Sequence, residues 1–233
     1  MNALEEAKVK LLAVDCLKAM KQKKTFRALS RELNLPAGVL NRYINGYVLP
    51  KKERCEALIA LFISNHLPKI LESSKIAGSK YIVTSEILSQ PFLLNVIAYF
   101  AAKKLDSKID AVLTAAVDGI PIAQAVADFL GVRFVYAKQT QEFSSGDYYV
   151  SRPQADKPTS TPFYLPKPML KKNERVLIVD DVIRAGSTFS ALTSICSQAK
   201  ANISGIFALF ITQKAYREIK KDYAVSYLIL ADG

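Results

Sequence analysis

The chain has 233 residues, with 32 Lys+Arg against 21 Asp+Glu, a net charge of +11 and a pI near 9.5. Half of it is hydrophobic and 23% is charged, which argues against disorder and for an ordinary globular fold. Three cysteines (Cys16, Cys55, Cys196) without paired spacing argue against a disulfide framework and a cysteine zinc site. A single histidine, His66, all but excludes a histidine triad or a His-rich metal cage. No targeting pattern stands at the N-terminus, and the longest apolar stretch, residues 91–102, falls short of the roughly 20 apolar residues that span a bilayer. A reducing cytoplasm and no membrane are therefore expected. The charge surplus fits polyanionic partners, nucleic acid or phosphate-rich ligands, and equally a lysine-rich stable surface.

The charge is not evenly spread. Residues 1–72 carry 13 Lys+Arg and 7 Asp+Glu, a net +6; residues 73–233 carry 19 and 14, a net +5. Per residue, the first third is more than twice as basic as the rest. In chain order, residues 3–20 repeat apolar positions at helical spacing (Leu4, Ala7, Leu11, Val14, Leu17) and predict a helix, closed by the basic run KQKK. Thr25 can cap a helix FRALSREL, with Ala28 and Leu29 inward and Arg27 and Arg31 outward. The turn NLP leads to a second helix from about Ala37 to Ile44, with Val39, Leu40 and Tyr43 or Ile44 as core candidates. Gly46 suits a C-terminal cap at positive φ, and Lys51 and Lys52 open a further helix ending near Phe62. His66 and Pro68 stand where this unit is expected to run out, which places a domain boundary after Glu72. From Tyr81 onward, apolar strands alternate with helices, the signature of a parallel α/β sheet. Residues 139–168 hold five of the ten prolines and predict a long mobile excursion or small subdomain.

The stretch SRELNLPAGVLNRYINGYVLP, residues 30–50, resembles the helix-turn-helix of the repressor-like DNA-binding proteins. In that family the second helix enters the major groove. The resemblance implies that Ala37, Gly38, Asn41 and Arg42 face base edges, where Asn matches adenine and Arg matches guanine. Arg27, Arg31, Lys51 and Lys52 would hold phosphates. A small helical accessory or dimerisation domain with solvated charges is the alternative.

The segment ERVLIVDDVIRAGSTFSAL, residues 174–192, is the most informative. Its apolar run predicts a buried strand ending in Asp180 and Asp181, then a loop turning into a helix near Ser187. Backbone amides from Ala185 to Thr188, with the Ser187 and Thr188 hydroxyls, can form a phosphate nest at a helix N-terminus. Gly186 permits close backbone approach. The two carboxylates can accept hydrogen bonds from vicinal ribose hydroxyls, directly or through the water of a metal ion. Residues 176–188 resemble the phosphoribosyl-pyrophosphate (PRPP) motif of the type I phosphoribosyltransferases. The resemblance implies that the acids hold ribose and the loop holds the 5-phosphate, with Arg184 adding positive charge. Response-regulator receivers also carry a strand ending in Asp-Asp, but near the start of their domain and without the R-A-G-S-T loop.

Residues 110–121, DAVLTAAVDGIP, predict a strand, a tight loop and a helix starting at Pro121. By resemblance the amides around Val117, Asp118 and Gly119 bind pyrophosphate, and Lys138 contacts it from the end of the next strand. The resemblance spans roughly residues 81–233 and implies a type I phosphoribosyltransferase fold, an α/β parallel sheet preceded by a small all-α helix-turn-helix domain. Strands are expected near 110–115, 133–138, 175–180, 203–211 and 224–230. Residues 139–168, including Arg152 and Lys157, would form the flexible loop and part of the base-recognising hood. The Lys and His set of the orotate-type enzymes is not found there, whereas adenine- and xanthine-type enzymes close differently.

The domain order resembles the purine operon repressors and related archaeal regulators, in which a transferase fold serves as sensor. It implies a PRPP-responsive transcriptional regulator of purine or pyrimidine nucleotide metabolism, a homodimer that binds a double-stranded DNA operator. PRPP would arrive with Mg²⁺, held indirectly by Asp180 and Asp181, and nucleotides would compete for the pocket. An active Mg²⁺-dependent phosphoribosyltransferase joining a nucleobase to PRPP, or an RNA-binding attenuator, are the other readings.

Overall fold

The computed structural model describes residues 3–22, 24–72, 83–105, 108–141, 146–151, 161–184 and 187–231. Contacts divide the chain into two compact units, Met1–Ser73 with Pro91–Val96, and Ser74–Gln90 with Ile97–Gly233.

The first unit is helical: α1 (Ala3–Gln22), α2 (Phe26–Leu33), α3 (Ala37–Ile44), α4 (Lys52–Asn65) and α5 (Leu67–Glu72). Thr25 caps α2 as expected, its Oγ1 accepting from the Ala28 N–H at 3.2 Å. Asn34 ends α2 in the left-handed region at φ 49°, which a short polar side chain tolerates. Gly46 follows α3 at φ 73°. Leu29, Leu40 and Tyr43 are buried between the short helices and their neighbours, with Val39 and Ile44 half-buried. Arg54 Nη1 donates to the Tyr43 hydroxyl at 2.7 Å, tying α4 to α3. Glu32 accepts from Lys24 Nζ, and His66 Nε2 lies 3.3 Å from its other oxygen. Three expectations change. Ala28 is exposed, because Leu29 alone fills the inner side of so short a helix. On α1 the inner face is Val9, Leu12, Ala13, Cys16 and Met20 with Val14 and Leu17, while Leu4, Ala7 and Leu11 point to solvent. α4 runs to Asn65, and α5 continues the unit past His66 and Pro68.

The second unit opens with α6 (Ser85–Leu88) and α7 (Pro91–Lys103), whose first six residues count with the helical unit. Then follow β1 (Ala111–Ala115), α8 (Gly119–Leu130), β2 (Arg133–Ala137), β3 (Tyr148–Val150), β4 (Tyr164–Pro166), β5 (Arg175–Ile183), α9 (Ser187–Ala199), β6 (Asn202–Thr212), α10 (Gln213–Ile219) and β7 (Val225–Ala231). Five strands form a parallel sheet in the order β2-β1-β5-β6-β7. All five lie where the sequence places strands. Every residue of β1 is buried, as a central parallel strand covered on both faces requires. α8 ends at Gly131, in the left-handed region at φ 68°. Part of the 139–168 excursion folds: β3 and β4 pair antiparallel, and the Gln198 side chain clamps both backbone groups of Val150. Residues 142–145 and 152–160, with Arg152 and Lys157, lie outside the described residues.

Asp110 and Arg175 fix the register between β1 and β5. The Arg175 guanidinium donates to both Asp110 oxygens at 2.7 and 2.8 Å, and its backbone N–H donates to Oδ2 at 2.9 Å. The bidentate guanidinium holds the Asp110 carboxyl well below the usual carboxylate range. A carboxyl lowered on folding adds stability that is complete above its unfolded value near 4 and fades as pH falls toward the folded value. Asp110→Asn is expected to lower the melting temperature at pH 7. Its gap from the wild type should close progressively in melts below about pH 4.

Candidate functional site

Successive connections place β2 on one side of β1 and β5, β6 and β7 on the other. Ligands of open α/β sheets sit at such a reversal, in the crevice outside the carboxyl ends of the two diverging strands. Here those ends carry Ala115 to Asp118 on β1 and Asp180 to Arg184 on β5.

The β1 end turns through residues 116–118 into α8, and the Ala116–Val117 peptide is cis. Val117 is 76% exposed and Asp118 is exposed beside it. α8 begins at Gly119, two residues earlier than expected, and no side chain caps its first turn. Gly119 is buried, and its backbone presses on β1 and β5. A Cβ there would lie 2.1 Å from Thr114 Oγ1 and 3.1 Å from Asp180 Oδ1. Only a glycine fits at this approach to Thr114 without displacing its neighbours.

β5 does not end at Asp180 and Asp181. It continues to Ile183, because Val182 and Ile183 still pair with Phe210 and Ile211 of β6. The two carboxylates have different surroundings. Asp180 is buried, its Oδ1 accepting from the Asp181 N–H at 3.0 Å. Asp181 is half-buried, its Oδ2 accepting from Thr84 Oγ1 at 2.8 Å. Burial first, and then the adjacent Asp181 charge, push the Asp180 carboxyl well above its usual value. Arg184 is exposed just beyond the strand and Thr188 is half-buried in the first turn of α9. Ser187 opens α9; Ala185 and Gly186 lie outside the described residues. Lys138 stands one residue past β2, bridged by backbone bonds to Tyr164, with its Nζ 5.2 Å from the Tyr136 ring centroid.

In the helical unit, Ala37, Gly38, Asn41 and Arg42 are all exposed on α3. Space around Gly38 is open, with nothing within 4 Å of a notional Cβ. Arg27 and Arg31 are exposed on α2; Lys51 precedes α4 and Lys52 begins it, both exposed. Sequence reasoning missed two neighbours. Asn45 Nδ2 donates to Asn41 Oδ1 at 2.9 Å, orienting that amide while leaving a second lone pair and the NH₂ available. Its spacing, one turn after Asn41, was the available signal. Thr84 lies 97 residues before Asp181, and no local pattern marks it.

Gly119→Ala is expected to cost about 1–3 kcal/mol, the usual range for overpacking. Thr114→Ala in the same chain should recover part of that loss in denaturant melts. A carboxyl raised on folding favours the fold most below its unfolded value near 4 and loses that advantage as pH rises. Asp180→Asn should therefore melt above the wild type at pH 8, with the gap widening from pH 4 upward.

The phosphoribosyl transferase domain pattern matches residues 83–231. A probable purine biosynthesis transcriptional regulator of Streptococcus pneumoniae is 35% identical over 160 residues, covering 66% of this chain and 58% of that protein. A xanthine phosphoribosyltransferase of Finegoldia magna is 33% identical over 143 residues, 58% of this chain and 73% of the enzyme. The chain thus spans about three-fifths of the length of the regulator it matches. The crystal structure of an adenine phosphoribosyltransferase from Thermoanaerobacter pseudethanolicus superposes with a TM-score of 0.59 at 19% identity, covering 70% of this chain and 99% of that one. That likeness establishes the fold. With its parallel sheet, its reversal between β1 and β5 and its match over residues 83–231, the chain belongs to the phosphoribosyl transferase domain family.

Proposed function

We propose that the chain is a PRPP-responsive, DNA-binding transcriptional regulator of nucleotide metabolism, acting as a homodimer. One observation carries the reading: a single chain joins a helix with exposed Asn41 and Arg42 to a switch-point crevice bordered by Asp180 and Asp181. The regulator name of the Streptococcus pneumoniae relative supports it and favours purine synthesis as the pathway.

In this reading α3 lies in the major groove. Asn41, held by Asn45, reads adenine and Arg42 reads guanine, with Ala37 and Gly38 allowing close approach. Arg27, Arg31, Lys51 and Lys52 hold phosphates, contributing affinity that falls with salt. In the crevice, Asp181 is oriented by Thr84 to accept from a ribose hydroxyl, with Asp180 behind it. The amides of Val117, Asp118 and Gly119, and Lys138, face pyrophosphate. Arg184, Ala185, Gly186, Ser187 and Thr188 hold the 5-phosphate.

Among the described residues no three His, Cys, Asp or Glu side chains group to hold a metal ion. Two adjacent carboxylates do fit Mg²⁺ that keeps its waters and shares ligand phosphate oxygens, since that ion rarely needs an all-protein cage. When bound it would neutralise pyrophosphate charge. PRPP changes DNA affinity only by preferring one of the states that bind DNA differently, and a nucleotide in the same pocket would compete. No described helix is long and apolar enough to cross a membrane, and a cytoplasmic site of action is part of the proposal.

Active transfer of a nucleobase to PRPP is the second reading, favoured by the identity to a xanthine phosphoribosyltransferase. It needs no covalent nucleophile, because positioning and charge stabilisation can supply much of the rate. Base-dependent release of pyrophosphate would establish it.

The decisive experiment titrates the protein onto its own upstream DNA, with and without PRPP, across a salt series. Arg42→Ala is expected to weaken specific binding by about 1–3 kcal/mol. Lys51→Ala should reduce the salt slope by about 1. Changing Asp180 and Asp181 together to Asn should abolish the PRPP response and leave basal DNA binding. No salt-sensitive preference for the upstream DNA would overturn the regulator reading; a retained PRPP response would overturn the site.

A further inference from the structure

Parallel strands all enter the sheet at one edge, the edge opposite the crevice. Register sets Arg133 level with Ala111, Ala111 level with Val176, and Arg175 level with Asn202. Backbone bonds join the segments that enter the three inner strands, β1, β5 and β6. The Asp110 N–H donates to the Arg175 carbonyl at 2.8 Å, that of Asn173 to the Lys200 carbonyl at 2.8 Å, and that of Asn202 to the Glu174 carbonyl at 2.7 Å. Lys108, Lys171, Lys172 and Lys200 are therefore gathered at one edge, and all four are exposed. Both acids of these segments are already engaged. Arg175 holds Asp110, while Arg133 and the Lys171 backbone N–H hold Glu174. Lys108 adds its field to Asp110 from outside that pair, and among the described residues none of the four lysines makes an ion pair. With Arg133 and Arg175, six basic and two acidic residues leave +4 here, of the +5 carried by residues 73–233. Lys200 stands apart from an ordinary solvated lysine. It follows the last residue of α9 at φ 56°, in the left-handed region where a helix commonly ends on glycine, and the Ala201 N–H closes the turn on the Cys196 carbonyl at 2.9 Å. A lysine there carries backbone strain that a glycine would avoid, and supplies a charge that a glycine would lack.

We propose that this edge of the sheet is a contact for double-stranded DNA, holding the phosphate backbone without reading bases. Three neighbouring strands place their entering segments across about 10 Å. A duplex presents one charge per about 1.7 Å of its axis, so about six phosphate charges pass over that length. Single strands are held by stacking their bases on aromatic rings, and segments 108–110, 171–174 and 200–202 contain no aromatic residue. Lysines and exposed asparagines without a stacking platform suit the outside of a duplex. Because ligands of such sheets bind at the carboxyl ends of the strands, this amino edge stays accessible whether or not the crevice is filled. Naming DNA as the polyanion rests on the DNA-binding reading above; the surface itself does not depend on α3.

The test uses the full chain and a duplex that lacks the upstream sequence, titrated across a salt series. Changing Lys108, Lys171, Lys172 and Lys200 together to Gln should lower the slope of log affinity against log salt by about 0.9 per lysine, roughly 3 to 4 in all. The ratio of affinities for upstream and unrelated duplex should stay the same, as should the PRPP response. Lys214→Gln, exposed in the first turn of α10 where β6 ends and so at the other edge, should leave the slope unchanged. Lys200→Gly should melt no lower than the wild type and still lose about 0.9 of slope; a lysine serving structure alone would lower the melting temperature and keep the slope. A fall of less than about 1 in the fourfold variant, or a wild type that does not bind unrelated duplex, would overturn the proposal. Affinity lost only for single-stranded DNA, or only for phosphatidylserine vesicles, would overturn the duplex assignment. Loss of the upstream preference would strike the α3 reading alone, because this slope is read on unrelated duplex.

Discussion

The sheet unit is organised around a place where no side chain fits. At the start of α8 the Gly119 backbone lies so close to Thr114 that a single added carbon would overlap its hydroxyl and stand 3.1 Å from the Asp180 carboxylate. The contact joins the end of β1 to β5, the two central strands between which the direction of chain progression reverses. At the opposite end of the same two strands, the Asp110–Arg175 pair holds their register. With both ends held, the turn after β1 and the acidic end of β5 border one crevice. Every reading of the site depends on that juxtaposition.

The crevice is built at a cost to stability. Asp180 is buried beside a second carboxylate, where its charge is disfavoured, and its Oδ1 accepts from the Asp181 backbone N–H. A neutral amide would sit there with less penalty. A carboxyl raised by burial at a strand end beside a second carboxylate is a candidate binding group. Asp181 differs in kind: it is more open, and Thr84 orients it. Two adjacent carboxylates thus have different surroundings, one buried and one more open.

The helical unit solves a different problem. Its two short helices are too small to be stable alone, so caps and cross-links hold them. Thr25 closes the start of α2, Asn34 its end, and Arg54 reaches from α4 to the Tyr43 hydroxyl. The outer faces are then left free of structural duty, and Asn41, Arg42 and the flanking lysines stand exposed there. The concentration of positive charge in the first 72 residues coincides with that free surface.

Much of this was legible in the chain itself. Buried parallel strands are written as apolar runs, so all five strand positions and the acidic β5 could be read directly. Thr25 and Gly46 act through local backbone geometry, which is also local in sequence. Patterns that depend on which side an element faces were less legible. The α1 spacing matched Leu4, Ala7 and Leu11 as well as the true inner face, and only packing against the other helices chose Val9, Leu12 and Met20. β5 ran past its aspartates because β6 offered partners for Val182 and Ile183, a property of another strand. Thr84, 97 residues from Asp181, and the contact of Gly119 with Thr114 and Asp180 arise only when the sheet closes. The sequence by itself determined which residues could form the site, because residue chemistry and local periodicity are carried in the chain. Tertiary structure alone decided which of them meet, because strand pairing and burial bring together groups whose separation along the chain carries no signal.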